Sequence, residues 1–312
     1  MAQDVKRKAT WQGRAWKYRG RYLLAVPSLA ATALFSYYTM YGLILAFKDY
    51  DFQLGIMGSP WVRPWYFHFE SLMMDELIWR AVRNTLIMSV WHLTWGTVAV
   101  VTLALLFNEL RNLVFKRVVQ TISYLPHFLS WVVVAALARV LFTSQNGVIT
   151  ELTDRLFGFR WLAFTNPNTF RAFLYGSSLW KSIGFGTIIY LAAMAGVSPE
   201  LHESAVIDGA NRFQRMWHIT LTSIRGIILL LFILACGGIL SGSFDQVFNM
   251  MTAQTRSTGE ILDVWIFNRG IAARPPQFEL ATAVGGLTNV IGLVLIVVVN
   301  TIAKWFGEDG IF

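Results

Sequence analysis

Residues 22–47 contain no charged side chain. An α-helix rises 1.5 Å per residue, so roughly 20 apolar residues cross the hydrocarbon core of a bilayer. In lipid a helix satisfies its backbone N–H and C=O groups within the segment, which makes it the natural form for such a run. Further apolar runs follow at 86–107, 118–142, 172–197, 224–240 and 278–303. The pattern predicts an all-α integral membrane protein with six transmembrane helices. Composition agrees, since the chain is 55% hydrophobic and only 14% charged, where a soluble domain carries about a quarter charged residues. The 13 Trp and 23 Phe suit a protein with aromatic belts at the lipid interfaces.

Charge orients the spans. Residues 1–21 carry Lys6, Arg7, Lys8, Arg14, Lys17, Arg19 and Arg21 against Asp4. Basic flanks stay on the cytoplasmic side, so this block predicts a cytoplasmic N-terminus. The apolar run after it is too long for the core of a signal peptide and reads as an uncleaved first span. Alternation places residues 48–85 outside as a periplasmic loop, 86–303 as a five-helix core, and the tail 304–312 in the cytoplasm. Within 48–85, residues 75–83 read as a short interfacial helix with Glu76 and Arg80 at i,i+4 spacing. Basic residues outnumber acidic ones about two to one in the inside segments and are balanced outside, which supports the orientation. The net charge of +8 is therefore topological rather than a nucleic-acid signature.

Several functional classes are excluded by what the chain lacks. Cys236 is the single cysteine, so there is no disulfide framework. The five histidines show no metal-ligand spacing with cysteine and read as structural. No Gly-Lys dipeptide occurs, so there is no phosphate-cradling loop in this chain. No triad or paired carboxylates at membrane depth suggest an enzyme.

The most informative stretch is polar. Residues 198–222 lie between the fourth and fifth apolar runs and are too polar for lipid, yet they carry helix signals. Ser198 is a candidate N-cap, Pro199 suits the first helical position, and Glu200 suits the positive end of the helix dipole. Gly209 can end this short helix in a left-handed turn, and a second helix can start at Asn211. Glu203-Ser204-Ala205, Ile207-Asp208-Gly209-Ala210, Phe213-Gln214, Trp217 and Ile219-Thr220-Leu221 resemble the EAA loop of permease subunits of ATP-binding-cassette importers. Ser204 replaces an Ala of that pattern, and Thr222 stands where Pro is usual, which bears on how the loop exits.

The resemblance implies a coupling helix in this cytoplasmic loop that inserts into a groove of an ATPase. It assigns Glu203 and Arg212 to charged contacts there, and Ala205 and Gly209 to close approach. Asp208 would orient the Gly209 turn, with Ala210 and Phe213 completing the surface. It further implies a second, different permease, two ATPase subunits that bind ATP and Mg, and an external sugar-binding protein; this chain itself would hold no cofactor or metal. The phrases Tyr124-Leu125-Pro126-His127-Phe128-Leu129-Ser130-Trp131, Ile188-Ile189-Tyr190-Leu191-Ala192-Ala193 and Phe244-Asp245-Gln246-Val247-Phe248 resemble polysaccharide-type permeases, such as importers of alginate or polygalacturonate oligosaccharides. The expected function is import of an oligo- or polysaccharide, with an anionic uronate such as alginate as a candidate.

Inside the spans, Lys181 is the sharpest second candidate. A Lys within a span faces a cavity or a partner, or snorkels out. It is read either as a path residue for anionic sugars, with Ser182 beside it, or as a structural cation. Arg139 reads as an interface anchor. Asp245 and Asn249 are candidates for the outer end of the path. The alternative function is an ion-gradient-driven secondary transporter, but such a protein is expected to carry intramembrane carboxylates. Here Glu279 stands only at the end of a span.

Overall fold

The structure is a computed structural model and describes residues 18–143 and 147–305. The basic residues up to Lys17 and most of the C-terminal tail therefore lie outside the described residues. We number the principal helices α1 (Arg19–Phe47), α2 (Phe67–Met74), α3 (Glu76–Glu109), α4 (Leu113–Phe128), α5 (Trp131–Leu141), α6 (Val148–Phe157), α7 (Pro167–Ala195), α8 (Pro199–Ile207), α9 (Arg212–Ser223), α10 (Arg225–Gly237), α11 (Phe244–Met250), α12 (Leu262–Phe267) and α13 (Phe278–Trp305).

Four of these helices, α1, α3, α7 and α13, are long and apolar enough to cross a membrane. The remaining two spans are bent pairs: α4 meets α5 at 98°, and α9 meets α10 at 56°. Taken with each bent pair as one span, they match the six expected, four unbroken and two broken. At the first break, Pro126 supplies no N–H, Leu129 is extended, and Ser130 caps α5 by accepting the Val133 N–H. The third run, expected as one span, is therefore two helices. At the second break, Ile224 leaves helical geometry at φ −98° and ψ 2°.

The second span begins at Glu76, not near residue 86, and absorbs the interfacial helix expected at 75–83. Asp75 caps it by accepting the Leu77 N–H. Ile78, Ala81, Thr85 and Met88 then form a buried stripe at helical spacing, so one face stays packed without interruption. Arg80 does not pair with Glu76; it reaches Glu260 at 3.1 Å. The fourth span begins at Pro167 because Asn166 accepts the Asn168 N–H and Pro167 occupies the first turn. The span thus starts five residues before the apolar run read from the sequence. Residues 113–117, which precede the third apolar run, form the first turns of α4 behind the Asn112 cap.

The core runs between spans. α7 lies along α3, and α13 lies against the second half of α1 and against α10. Glycine permits two of these approaches. A Cβ at Gly184 would strike the backbone of Ser123 in α4, and one at Gly292 would strike the Gly237 carbonyl across the α10–α13 crossing. Close backbone approach through small residues is a common way for helices to associate where lipid removes the hydrophobic driving force. Large apolar side chains exposed along the spans, Leu24, Phe35, Val98 and Leu293 among them, face outward as lipid requires.

A polar knot closes the N-terminal ends of α3 and α7. Glu260 is fully buried and bridges Arg80 and Arg256, the latter at 2.6 Å. Asn84 donates to the Glu260 and Ser257 carbonyls and accepts from Arg171. Thr85 accepts the Leu262 N–H. The sequence Arg83-Asn84-Thr85 thus ties the second span to the segment between α11 and α12. Removing one partner from such a buried pair leaves a desolvated charge, at a cost of about 3–5 kcal/mol.

Candidate functional site: the α8–α9 turn and the cavity beside the α3 bulge

The stretch 198–222 folds as its local signals predict. Ser198 accepts the Glu200 N–H and Pro199 sits in the first turn of α8. Gly209 adopts φ +80° and ends the helix. Asn211 starts α9 with a reciprocal capping box: its side chain accepts the Gln214 N–H, and Gln214 accepts the Asn211 N–H. The turn itself closes through backbone bonds, with Ala210 N–H donating to the Ala205 carbonyl at 2.9 Å. The Asp208 side chain makes no hydrogen bond to the described residues, so the orienting role expected for it is carried by Gly209 and the backbone.

This two-helix element presents an apolar surface. Ile207 is 86% exposed and Phe213 66%, and Leu201, Val206 and Trp217 are also exposed. Phe213 and Trp217 stack on one face of α9. Glu203 is exposed, whereas Ala205 and Ala210 are half-buried. Arg212 behaves differently from its expected role. It pairs with Glu109 at 2.9 Å and donates to the Glu109 carbonyl at 2.7 Å, tying α9 to the C-terminal end of α3. Glu109 was missed in the sequence because its partner is more than a hundred positions away. Where Pro would end the loop, Thr222 lets α9 run on, and the bend comes at Ile224 instead.

Between α3, α7 and α10 lie two adjoining cavities of about 210 and 320 Å³, which share His92, Thr97 and Ala235. They form because α3 carries a π-turn at His92–Gly96, a bulge of the kind that often marks functional sites. The buried Nε2 of His92 has no partner among the described residues. Trp91 stacks on Tyr175 at 4.4 Å with the rings 3° from parallel. Tyr175, Ser178 and Ser182 recur at helical spacing along α7, and the two serines line the larger cavity. The sequence reading took His92 as structural. Its signal was the run Trp91-His92-Leu93-Thr94-Trp95-Gly96-Thr97, polar and aromatic in the middle of an apolar span.

Of the candidate path residues, Ser182 faces this space and Lys181 does not. Lys181 donates to the His127 carbonyl at 2.8 Å and lies over the Trp131 ring, so it is bound at the α4–α5 break. Asp245 is exposed at the start of α11 and lines neither cavity; Asn249 donates to the Asp245 carbonyl. Arg139 donates to the Asn249 carbonyl at 2.8 Å, so it joins α5 to α11 and is more than an interface anchor. Among the described residues no cluster of His, Cys, Asp and Glu could hold a metal ion.

Known proteins show the same architecture. Protein LplB of Bacillus subtilis (strain 168) is 39% identical over 97% of this chain and 94% of its own length. The polygalacturonan/rhamnogalacturonan transport system permease protein YteP of the same organism is 39% identical over 93% of this chain and 89% of its own. A chain in the crystal structure of a bacterial alginate ABC transporter, in complex with alginate pentasaccharide-bound periplasmic protein, superimposes with a TM-score of 0.87. It is 31% identical, and the match covers 97% of this chain and all of that one. The model of the binding-protein-dependent transport system inner membrane component family matches residues 96–308, a region that begins at the end of the α3 bulge and holds the α8–α9 element and the last span. That membership favours a permease over an ion-gradient-driven transporter, and with relatives similar along the whole length the chain belongs to the family of inner membrane components of binding-protein-dependent transport systems.

Proposed function

We propose that this chain is one of two unlike permeases in an ATP-driven importer of oligosaccharides, acidic uronate chains among them. Two ATPase subunits hold ATP and Mg on the cytoplasmic side, and an external binding protein delivers the sugar. The likeness to YteP and to a chain of the alginate transporter supports the substrate class. The single observation that carries the coupling role is the exposed apolar face of α8–α9, arranged around the left-handed turn at Gly209. An apolar patch bordered by Glu203 is the kind of surface a partner protein buries. On this reading α8 enters the ATPase groove with Ala205 and Ala210 allowing close approach, Gly209 sets the turn that aims it, and Phe213 packs at its edge. Asp208 and Glu203 supply polar contacts at the rim. Arg212 acts from within: its bond to Glu109 makes α9 and α3 move together, so a push on α8–α9 reaches the cavity bulge.

The test is a tagged pull-down of the chain from its native membranes in mild detergent, with mass spectrometry of bound proteins. The expected result is an ATPase subunit and a second permease, followed by ATP hydrolysis stimulated by the sugar-loaded binding protein. Recovery of this chain alone, under conditions that preserve a known importer as control, overturns the reading.

A further inference from the structure

We infer that the apolar groove between α2, α3 and α13 is a site for one phospholipid of the outer leaflet, with its zwitterionic headgroup on a rim formed by Arg269 and Glu76 and an acyl chain in the groove. The inference concerns the lipid face of the chain and holds whatever the cargo. Leu72, Ile78, Val82, Leu262, Val284 and Leu287 line a cavity of about 140 Å³. The polar side-chain atoms of its wall are already engaged. The Thr288 hydroxyl donates to the Gly285 carbonyl within α13, and Trp79 Nε1–H donates to the Met73 carbonyl at 2.9 Å. A water molecule here would lack the two to four polar partners it needs, and a polar solute would be desolvated without return. The groove opens sideways. Met73, Trp79 and Ile291 in its wall are exposed, and so are the neighbouring Val290, Leu293 and Val294 of α13. Both α3 and α13 are spans, so the opening gives onto hydrocarbon and the fitting occupant is an acyl chain.

Depth and charge identify the lipid. The Gln277 N–H donates to the Arg269 carbonyl at 3.0 Å, so Arg269 sits beside the start of α13. Residues 277 to 287 rise about 15 Å, half of the roughly 30 Å hydrocarbon core. A headgroup at Arg269 therefore leaves the groove within reach of its own acyl chain. Trp65, Tyr66 and Trp79 are exposed around this level, as an aromatic belt at a membrane interface requires. The Arg269 guanidinium lies over the Trp265 ring, and its ion pair with Asp75 is long at 3.9 Å, so it keeps N–H donors for a phosphate. Glu76, next to Asp75, is exposed and makes no ion pair among the described residues. A phosphate on Arg269 and an ammonium on Glu76 satisfy both signs, whereas an anionic lipid would bring its net charge against two carboxylates. The bound chain joins α2 to α13 and supplies the dispersion contacts that an empty groove forfeits.

The experiment uses the full chain with the subunits that copurify with it, in nanodiscs containing phosphatidylethanolamine or phosphatidylglycerol. Each lipid carries a diazirine on the same acyl chain, and adducts formed on illumination are mapped by mass spectrometry. Adducts at Met73 and Ile291 should form with phosphatidylethanolamine, at about fivefold the yield given by phosphatidylglycerol, the scale of one exposed charge contact. Leu287→Trp fills the groove and should lower the yield at Met73 by about tenfold, since each buried methylene shut out is worth about fourfold in affinity. Val290→Trp adds the same ring on the exposed face of α13, outside the groove, and should leave the yield unchanged. Arg269→Gln should bring phosphatidylethanolamine down to the level of phosphatidylglycerol. The unmodified chain is decisive even where a variant fails to fold. Adducts spread evenly over Val290 and the groove wall would mean unselective lipid contact and overturn the site, as would a wall free of adducts because the second permease covers it. Equal yields with the two lipids overturn the headgroup assignment, and so does an Arg269→Gln chain that keeps the preference.

Discussion

Gly209 admits two physical explanations that predict different orders of substitution. Its φ is +80°, a conformation that costs an L-residue about 1–2 kcal/mol. A Cβ built there meets nothing within 4 Å in this chain, so the chain alone imposes no steric limit. If the glycine is needed for conformation, Asn should be tolerated best, because its short polar side chain visits this region readily. Ala should shift the turn equilibrium by a factor of about 5–30, and Val by more, being β-branched. If the glycine is needed for close approach to a partner, the order should follow size, with Ala best and Asn and Val both poor. The assay is ATP hydrolysis stimulated by the loaded binding protein in proteoliposomes, with retention of the ATPase subunits measured on the same samples. We expect Gly209→Asn to keep most of the stimulation and Gly209→Ala to lose most of it. Activity in the order Ala above Asn would refute the conformational argument and make Gly209 a contact residue.

Other substitutions test the packing. Glu260→Gln removes the buried charge that the half-exposed Arg80 and Arg256 share; the purified permease should lose about 1–2 kcal/mol of stability, read by thermal unfolding in detergent, and an unchanged melting temperature would show that the knot is not energetically coupled. Gly184→Val should abolish assembly, since its Cβ meets the Ser123 backbone, whereas Gly176→Val on the same helix meets nothing within 4 Å and should be silent in a size-exclusion profile. Lys181→Met leaves the His127 carbonyl without its donor; uptake of acidic and neutral oligosaccharides should fall together, and a loss confined to acidic sugars would return Lys181 to the substrate path.

What the sequence revealed divides along the range of the interaction. Residues 198–222 were legible in detail because Ser198, Pro199, Gly209 and Asn211 act on their own backbone neighbours, and the structure shows each in its expected place. The spans were legible because their driving force is apolar length. Their ends were less so: Asp75 and Asn166 are capping residues, yet each sits in a polar stretch that also suits a loop. The cavity left only the polar and aromatic run 91–97 as a trace in the sequence. It depends on a π-turn in α3 that no single residue announces, and on Tyr175, Ser178 and Ser182 arriving opposite it from α7. The bond from Arg212 to Glu109 was not legible, because nothing local links the two.

The cations explain how a membrane protein can afford broken helices. A helix that stops leaves its last carbonyls without N–H partners, and where the stop lies in lipid no water replaces them. Lys181 donates to His127 where α4 stops, Arg139 to Asn249 where α11 stops, and Arg212 to Glu109 where α3 stops. Lys48 does the same for Ile56 and Met57 in the short helix Gly55–Gly58, and Arg171 reaches Thr258 in the short helix Arg256–Gly259. Each positive charge lies at the negative end of a helix dipole, so charge and hydrogen bond act in the same direction. This accounts for why Lys181, read from the sequence as a path residue or a structural cation, and Arg139, read as an interface anchor, both turn up at junctions. In such a chain a Lys or Arg at membrane depth is first a candidate cap for a broken helix. It becomes a candidate for the substrate path only when no freed carbonyl lies within its reach.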